Sequence, residues 1–460
     1  MAEHPDTRPI RLTHRRTDHR RVVFLGARNA GVSTVMGHLL FRLPNCLNQR
    51  SREKVEAQSR DLGNPTPIYS LVVVDCGGQR LHGSSTSPYE IETPKYVLHL
   101  EHPQKRQRSL TAATGRALAH SDAAVLVLSA AEDSSDSEQQ HLEMVTTAGI
   151  PHLLVVVNKV DLCTDQAERF AEICDRVKLR LSALSYEGDV HFLPVSASLG
   201  HNMLDSDEEA GGASAGGEDA ALQFSWWRGC TLAAQLLSLE LAPTLATASL
   251  PLRFVVHTSG GVIGTTSWSS SGTVSYGLVR AGMQVVFSPS GASAIVRSLG
   301  DHNGEVALPG ERVELSLTTV DTTSPNVNDI CSEAHRDPVT AVLSITARLR
   351  VFSRRGLDVG TALTLCTLAG SSMECKLDSL CVVRDETTET IDHASSGDVC
   401  TAVLSPVVPG GVVEEYSRYP TLGRLTLMRA GTSQFVALGI VSAAVRRDGA
   451  MTKAAVSQAC

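Results

Sequence analysis

Hydrophobic patterning divides the chain into two textures. Between Arg21 and Leu241, short apolar runs alternate with stretches whose apolar residues fall three and four positions apart. The runs are Val22-Val23-Phe24-Leu25, Leu71 to Val74, Val97-Leu98-His99-Leu100, Ala123 to Leu128, Leu153 to Val157 and Phe192 to Val195. Each reads as a strand buried on both faces, and the stretches Ser33 to Phe41 and Gln166 to Leu184 read as helices. Buried strands alternating with helices predict an α/β domain whose parallel sheet is covered on both sides.

After Pro251 the texture becomes short Val-, Thr- and Leu-rich strands separated by Gly, Pro and Asn. They cover Leu252 to His257, Ser271 to Tyr276, Gln284 to Phe287, Ala292 to Ser298 and Arg312 to Thr318. Near Pro338 the pattern restarts: Thr340 to Phe352, Ala362 to Leu368, Ser379 to Arg384, Asp398 to Leu404, Gly423 to Met428 and Gln434 to Ser442. Two consecutive all-β units predict two β-barrels. Asp205 to Ala221 is acidic, glycine-rich and without large apolar side chains, so it reads as a surface insertion that cannot order itself. The expected organisation is a disordered tail over 1–20, an α/β domain over 21–243 carrying the 205–221 insertion, barrels over 249–335 and 337–447, and a second tail over 448–460.

Composition narrows the function classes. Aromatics are 4% of the 460 residues, which argues against a broad base-stacking platform. The formal net charge of −8 provides no whole-protein basic field for a phosphate backbone. No apolar run reaches the roughly 18 residues of a membrane span. The Arg- and His-rich start carries Glu3, Asp6 and Asp18 and no amphipathic stripe, so it reads as a tail rather than a targeting segment. The eleven cysteines form no C-x-x-C pair and no Cys/His cluster with zinc spacing, and read as free thiols of a reducing, cytoplasmic compartment.

Three motifs carry candidate chemistry. The first strand runs into Gly26-Ala27-Arg28-Asn29-Ala30-Gly31-Val32-Ser33-Thr34 and a helical pattern follows, the arrangement that aims backbone N–H groups at phosphates. The spacing is G-x-x-x-x-G-K-[ST] except that Val32 stands where the phosphate-binding lysine belongs. Ser33 or Thr34 retains a hydroxyl for a metal. Asn158-Lys159-Val160-Asp161 follows the run Leu153 to Val157; an Asp carboxylate there accepts from both N1 and N2 of guanine, which adenine cannot offer, and the Lys stem can cover the base. Val195-Ser196-Ala197 lies after the next strand, in the place of the S-A loop that completes a guanine site. Candidate nucleotide-binding residues are therefore Gly26, Asn29, Ala30, Gly31, Ser33, Thr34, Asn158, Lys159, Asp161, Ser196 and Ala197, with GTP or GDP as cofactor. Isolated histidines such as His38, His82 and His102 read as surface or packing residues, and Trp226-Trp227 as packing between a barrel and the first domain.

Here the sequence resembles a known family, the elongation factor 1-alpha branch of translational GTPases, which includes the eukaryotic release-factor GTPase and the ribosome-rescue GTPase that partners Pelota. Ser33-Thr34-Val35-Met36-Gly37-His38-Leu39-Leu40 is close to the family's S-T-L-M-G-H-L-L, and Arg50 to Gly63 is similar to its helix before switch I. Trp226-Trp227-Arg228-Gly229-Cys230-Thr231-Leu232 resembles W-Y-K-G-P-T-L, and Leu422-Gly423-Arg424-Leu425 with Ala437 to Val441 resembles the end of the last barrel. The resemblance spans residues 21 to 445. It implies a GTPase domain followed by two barrels, action on the ribosome, and delivery of a tRNA-shaped protein such as Pelota or a release factor, or of tRNA itself, by a monomer that does not enter membranes.

The departures fall where the chemistry would be. The family's D-x-P-G-H loop aligns with Glu101-His102-Pro103-Gln104-Lys105, so Glu101 and Ser33 are the candidate ligands for Mg²⁺, and Lys105 stands at the position of the water-positioning His. An ammonium cannot accept a hydrogen bond from water, so no catalytic residue is assigned. The rival alignment, Asp75-Cys76-Gly77-Gly78, lies too far from Asn158 for this branch. Switch I, Gln79 to Thr86, has lost most of its charged residues. The resemblance therefore implies a ribosome-associated GTP-binding factor impaired in hydrolysis. An active GTPase delivering aminoacyl-tRNA or a release factor, a non-enzymatic adaptor linking stalled ribosomes to RNA decay, and a relic whose barrels bind an unrelated protein remain alternatives.

Overall fold

Six strands form the sheet of the first domain: β1 (His19–Gly26), β2 (Tyr89–Glu92), β3 (Val97–Glu101), β4 (Ala123–Ser129), β5 (His152–Asn158) and β6 (Asp189–Pro194). Their order is β2-β3-β1-β4-β5-β6, and β1, β4, β5 and β6 pair in parallel. This computed structural model describes residues 19–43, 46–47, 49–61, 69–70, 72–73, 89–93, 97–103, 114–115, 117–118, 121–132, 136–204, 224–239, 245–261, 266–300, 306–320, 323–367, 372–384, 387–407, 411–432 and 434–446. Every residue of β4 but its last is buried, because helices cover both faces. The domain's longer helices are α1 (Val32–Arg42), α2 (Gln49–Asp61), α3 (Asp136–Thr147) and α4 (Gln166–Ala183), and a short one spans Leu232–Ser238. On α4 the buried Phe170, Ile173, Cys174, Val177 and Leu181 follow the three- and four-residue spacing that placed the helix.

Contacts group the described chain into two units, one built on Leu241–Val339 and the other on Arg20–Glu92, Leu98–Glu240 and Thr340–Cys460. The first holds a closed barrel in the order Gln284–Ser288, Ser293–Leu299, Arg312–Thr319, Ser267–Tyr276, Arg253–Gly261, Ile330–Glu333. Phe254, Phe287, Val274 and Leu315 fill it. The fully buried Arg253 donates to Asp337 Oδ2 at 2.8 Å and to the Leu252 carbonyl at 2.9 Å, which ties the entry of the barrel to its exit.

In the other unit, a second six-stranded barrel packs on the α/β domain. Its strands run in the order Ala362–Thr367, Arg424–Arg429, Phe435–Arg446, Val342–Val351, Val399–Pro406, Ser372–Arg384, and the last pairs back with the first. Phe435 and Leu438 of this barrel belong to the same apolar cluster as Val145 and Ile150 of the α/β domain, so the two share one core. The α/β sheet followed by two closed barrels is the architecture the patterning predicted.

Several details differ from the sequence reading. The run Leu71 to Val74 was expected as a strand, but Val72 and Val73 are helical and buried. A four-residue apolar run cannot distinguish the two states by itself. Here the adjoining Tyr69 stacks on His38 of α1 at 4.0 Å, and the bare Cα of Gly37 admits its backbone. β1 begins at His19, inside the segment read as a tail. The strands Tyr89–Glu92 and Ile330–Glu333 were not anticipated: each is only four residues, too short for alternation to register. Trp226 and Trp227 pack on Phe170 of α4, with ring centroids 5.6 and 5.4 Å away, against the apolar cluster that also holds Phe435 and Leu438 of the second barrel. The 205–221 insertion, the switch I stretch 79–86, the rival Asp75 loop, Gln104 and Lys105 lie outside the described residues. Among the described residues no helix is long and apolar enough to cross a membrane.

Candidate functional site

Parallel pairing brings the C-terminal ends of β1, β4, β5 and β6 to one rim of the sheet, which is where open α/β sheets bind ligands. Gly26 ends β1 at that rim; a Cβ there would meet the Val127 carbonyl at 2.5 Å. The loop turns through Asn29 and Gly31 at positive φ (68° and 96°), and Gly31 opens α1. The Gly31 carbonyl accepts from the N–H groups of Thr34 and Val35 at 3.0 and 2.9 Å, which starts the helix and leaves its first N–H groups facing the loop. Val32, at the lysine position, is buried, with its methyl carbon 2.6 Å from the ideal Cβ position of Gly26. Its side chain packs inward and supplies no charge to a phosphate.

Asn158 holds the three motifs together. From the end of β5 its Nδ2 donates to the Ala30 carbonyl at 2.9 Å, and its Oδ1 accepts from the Ala197 N–H at 3.0 Å. One buried carboxamide thus fixes the glycine loop against the S-A loop. Behind it, His38 Nδ1 donates to the Ala197 carbonyl at 2.8 Å. A carbonyl only accepts, so this contact sets the ring tautomer. Burial holds the His38 pKa down at about 4, against the raising effect of that hydrogen bond.

Asp161 sits in the turn Val160–Leu162 that follows β5, preceded by Lys159 at φ 63°. The Lys159 ammonium pairs with Glu132 at 3.5 Å. Three buried oxygens on this rim have no hydrogen-bond partner among the described residues: Asp161 Oδ1, Ser196 Oγ and Ser129 Oγ. They follow or end the adjacent strands β5, β6 and β4. Buried polar atoms are seldom left unsatisfied, and three together on one rim fit a polar ligand such as a purine base.

The structure brings Gly26, Asn29, Ala30, Gly31, Ser33, Thr34, Asn158, Lys159, Asp161, Ser196 and Ala197 to this rim. Sequence reasoning missed the supporting residues His38 and Glu132. His38 falls within the Ser33 to Leu40 motif, but the motif does not show its role, because each of the two acts across the fold on a residue distant in sequence.

The cation corner is built differently. Glu101 ends β3, the neighbour of β1, and burial pushes its carboxyl above the usual range, partly offset by Arg21 and His99. The Ser33 hydroxyl and His102 Nε2 lie 3.2 Å apart in a hydrogen bond. Among the described residues no group of three or more His, Cys, Asp or Glu is placed to share a cation. Mg²⁺ demands near-octahedral oxygen ligation at about 2.1 Å, and a corner offering the part-buried Glu101 carboxyl and a Ser33 hydroxyl already engaged by an imidazole does not fit it.

A glycine turn at the end of β1, with the N-K-x-D and S-A segments on the same rim of an α/β sheet and barrels downstream, is the arrangement of a P-loop GTPase-type domain. Residues 17–241 match the family described as the elongation factor Tu GTP binding domain. Over nearly its full length the chain is similar to elongation factor 1-alpha of Eremothecium gossypii, 28% identical over 461 aligned positions that cover 95% of this chain and 97% of that protein. It is 29% identical to elongation factor 1-alpha of Serendipita indica, covering 94% and 95%. The crystal structure of the S. cerevisiae Ski7 GTPase-like domain, bound to GDP and inorganic phosphate, superposes with a TM-score of 0.61 at 17% identity, over 93% of this chain and 97% of that one, a likeness of fold. The α/β domain of this chain belongs to the elongation factor Tu GTP binding domain family, and the chain as a whole is similar to the elongation factor 1-alpha-like translational GTPases.

Proposed function

We propose that this protein is a guanine-nucleotide-binding factor that works on the ribosome, like the release and rescue GTPases, and is impaired in GTP hydrolysis. The observation that carries the reading is the trio of unpartnered buried oxygens, led by Asp161 Oδ1, on a rim locked by Asn158. Gly26 to Thr34 would hold the phosphates through backbone N–H groups, Asp161 would read guanine N1 and N2, and the Lys159 stem would cover the base. Loss of the loop lysine at Val32 removes a charge-assisted contact worth about 1.5–3 kcal/mol, so binding is weak. Lys105 at the family's His position removes the acceptor for the attacking water.

Nucleotide titration of the purified full chain tests the binding: GTP and GDP bind, ATP does not, and equal affinity for ATP overturns the reading. Phosphate release stays near background with and without ribosomes, and also in Lys105→His, because Val32 still leaves the phosphates without their cation. Robust ribosome-stimulated release would establish the active-GTPase alternative instead.

Retained binding with lost hydrolysis favours the adaptor role over delivery by turnover. The partner surface then lies on the barrels after Pro251, and full-length protein recovers ribosomes or a Pelota-like or release-factor-like protein in pull-down. Recovery of no translation component overturns the ribosomal reading.

A further inference from the structure

The cation corner separates this chain from the chemistry its fold would lead one to expect. The first turn of α1 presents Ser33 toward the end of β3, where Glu101 is followed by His102. The contact that forms there is between Ser33 Oγ and His102 Nε2, 3.2 Å apart and joining residues 69 apart in sequence. A hard divalent cation binds oxygen, keeps several waters and draws on one or two carboxylates in addition to phosphate. An imidazole ring against the Ser33 hydroxyl takes up part of that hydration shell and returns no anionic oxygen. The neighbouring Val32 contributes an alkyl group packed into the core. Backbone N–H groups of the loop and helix start remain as the phosphate-facing donors, and they need no metal.

We infer that this pocket holds its guanine nucleotide without a divalent cation, because His102 occupies the Ser33 hydroxyl that would otherwise ligate one. The inference rests on the guanine-binding reading above and concerns that same site. Affinity then comes from the base rim and the backbone cradle, and is indifferent to Mg²⁺. Removing the ring frees the hydroxyl, and Mg²⁺ begins to matter.

Fluorescently labelled GDP and GTP, titrated into the full-length protein in Mg²⁺ and separately in EDTA, provide the test. Wild-type affinities should agree within about threefold, under 1 kcal/mol. In His102→Ala, affinity in Mg²⁺ should exceed that in EDTA by about tenfold, near 1.4 kcal/mol. Ser33→Ala should change affinity by the same factor in both conditions, and it serves alone if circular dichroism shows His102→Ala unfolded. Wild-type binding about tenfold tighter in Mg²⁺ overturns the inference and leaves the guanine reading standing. A folded His102→Ala still indifferent to Mg²⁺, or a Ser33→Ala loss confined to Mg²⁺, overturns the role given to His102. Binding in neither condition overturns both the guanine reading and this inference.

Discussion

Arg424 of the second barrel donates from Nη2 to the carbonyl of Gly149, 2.8 Å away, at the C-terminal end of α3. Gly149 stops that helix in the left-handed region at φ 61°, with its N–H bonded to Thr146 at 3.0 Å. The last carbonyls of a helix are unsatisfied within it and carry its negative end. Arg424 supplies the cation there, Tyr416 donates to the same carbonyl at 3.1 Å, and Arg424 Nη1 reaches the Ser121 carbonyl at 2.9 Å. A Cβ at residue 149 would lie 2.1 Å from the Tyr416 hydroxyl, so the residue that ends the helix also admits the barrel.

Arg424→Ala takes the donor from the buried Ser121 carbonyl and one of two donors from the part-buried Gly149 carbonyl, and should cost about 1–3 kcal/mol, lowering the midpoint of chemical denaturation. Arg424→Lys should recover part of the loss, because an ammonium lacks the fork that spans both carbonyls. An unchanged midpoint in the alanine variant would show that the pair contributes nothing to stability. The shared core has a practical consequence. A fragment starting at residue 251 would expose Phe435 and Leu438, so partner binding is best measured on the full chain.

Gly31→Ala should weaken nucleotide binding more than it weakens the fold. The new methyl would sit 2.2 Å from Asn158 Nδ2, at φ 96° where an L side chain is strained by about 1–2 kcal/mol. Displaced, Asn158 lets go of Ala30 and Ala197 together. Affinity for labelled GDP should fall by about tenfold or more while far-ultraviolet circular dichroism stays native. Undiminished affinity would mean the carboxamide bridge does not shape the pocket.

Asp161→Asn should lower GTP and GDP affinity by about tenfold to a hundredfold, the worth of a charged hydrogen bond of roughly 1.5–3 kcal/mol. The amide presents one acceptor and one donor where guanine needs two acceptors. Competition among GTP, xanthosine triphosphate and ATP checks this: selectivity should move toward xanthosine, whose C2 oxygen accepts. A variant that keeps wild-type guanine preference places the base elsewhere.

Stability should fall with acid between pH 6.5 and pH 4. His38 and His141 are both buried, and burial lowers each pKa from 6.5 to about 4. Both are neutral in the fold, so their contribution is complete above pH 6.5 and is lost as pH falls toward 4, by up to roughly 3 kcal/mol each. Denaturation midpoints across that window provide the measurement. His38→Gln, which keeps a donor for Ala197, should flatten the slope, and an identical slope would exclude His38 as a contributor.

The linear pattern of residues by itself determined the α/β-then-two-barrels order, the glycine loop and the N-K-x-D and S-A motifs. Those features are local: a buried strand, an amphipathic helix or a turn needing positive φ at Gly31 is written in neighbouring residues. Only the tertiary structure decided what those pieces do to one another. Asn158 bridges to Ala30, His38 backs Ala197, His102 takes the Ser33 hydroxyl, and Arg424 caps the helix ending at Gly149. Each joins residues far apart in the chain, and no periodicity encodes such a pair. The same limit applies to Val72 and Val73, which are helical and buried, beside Tyr69, which packs on Gly37 and His38 of α1. Four apolar residues in a row state only that they will be buried; the partner surface chooses the conformation in which their backbone is satisfied.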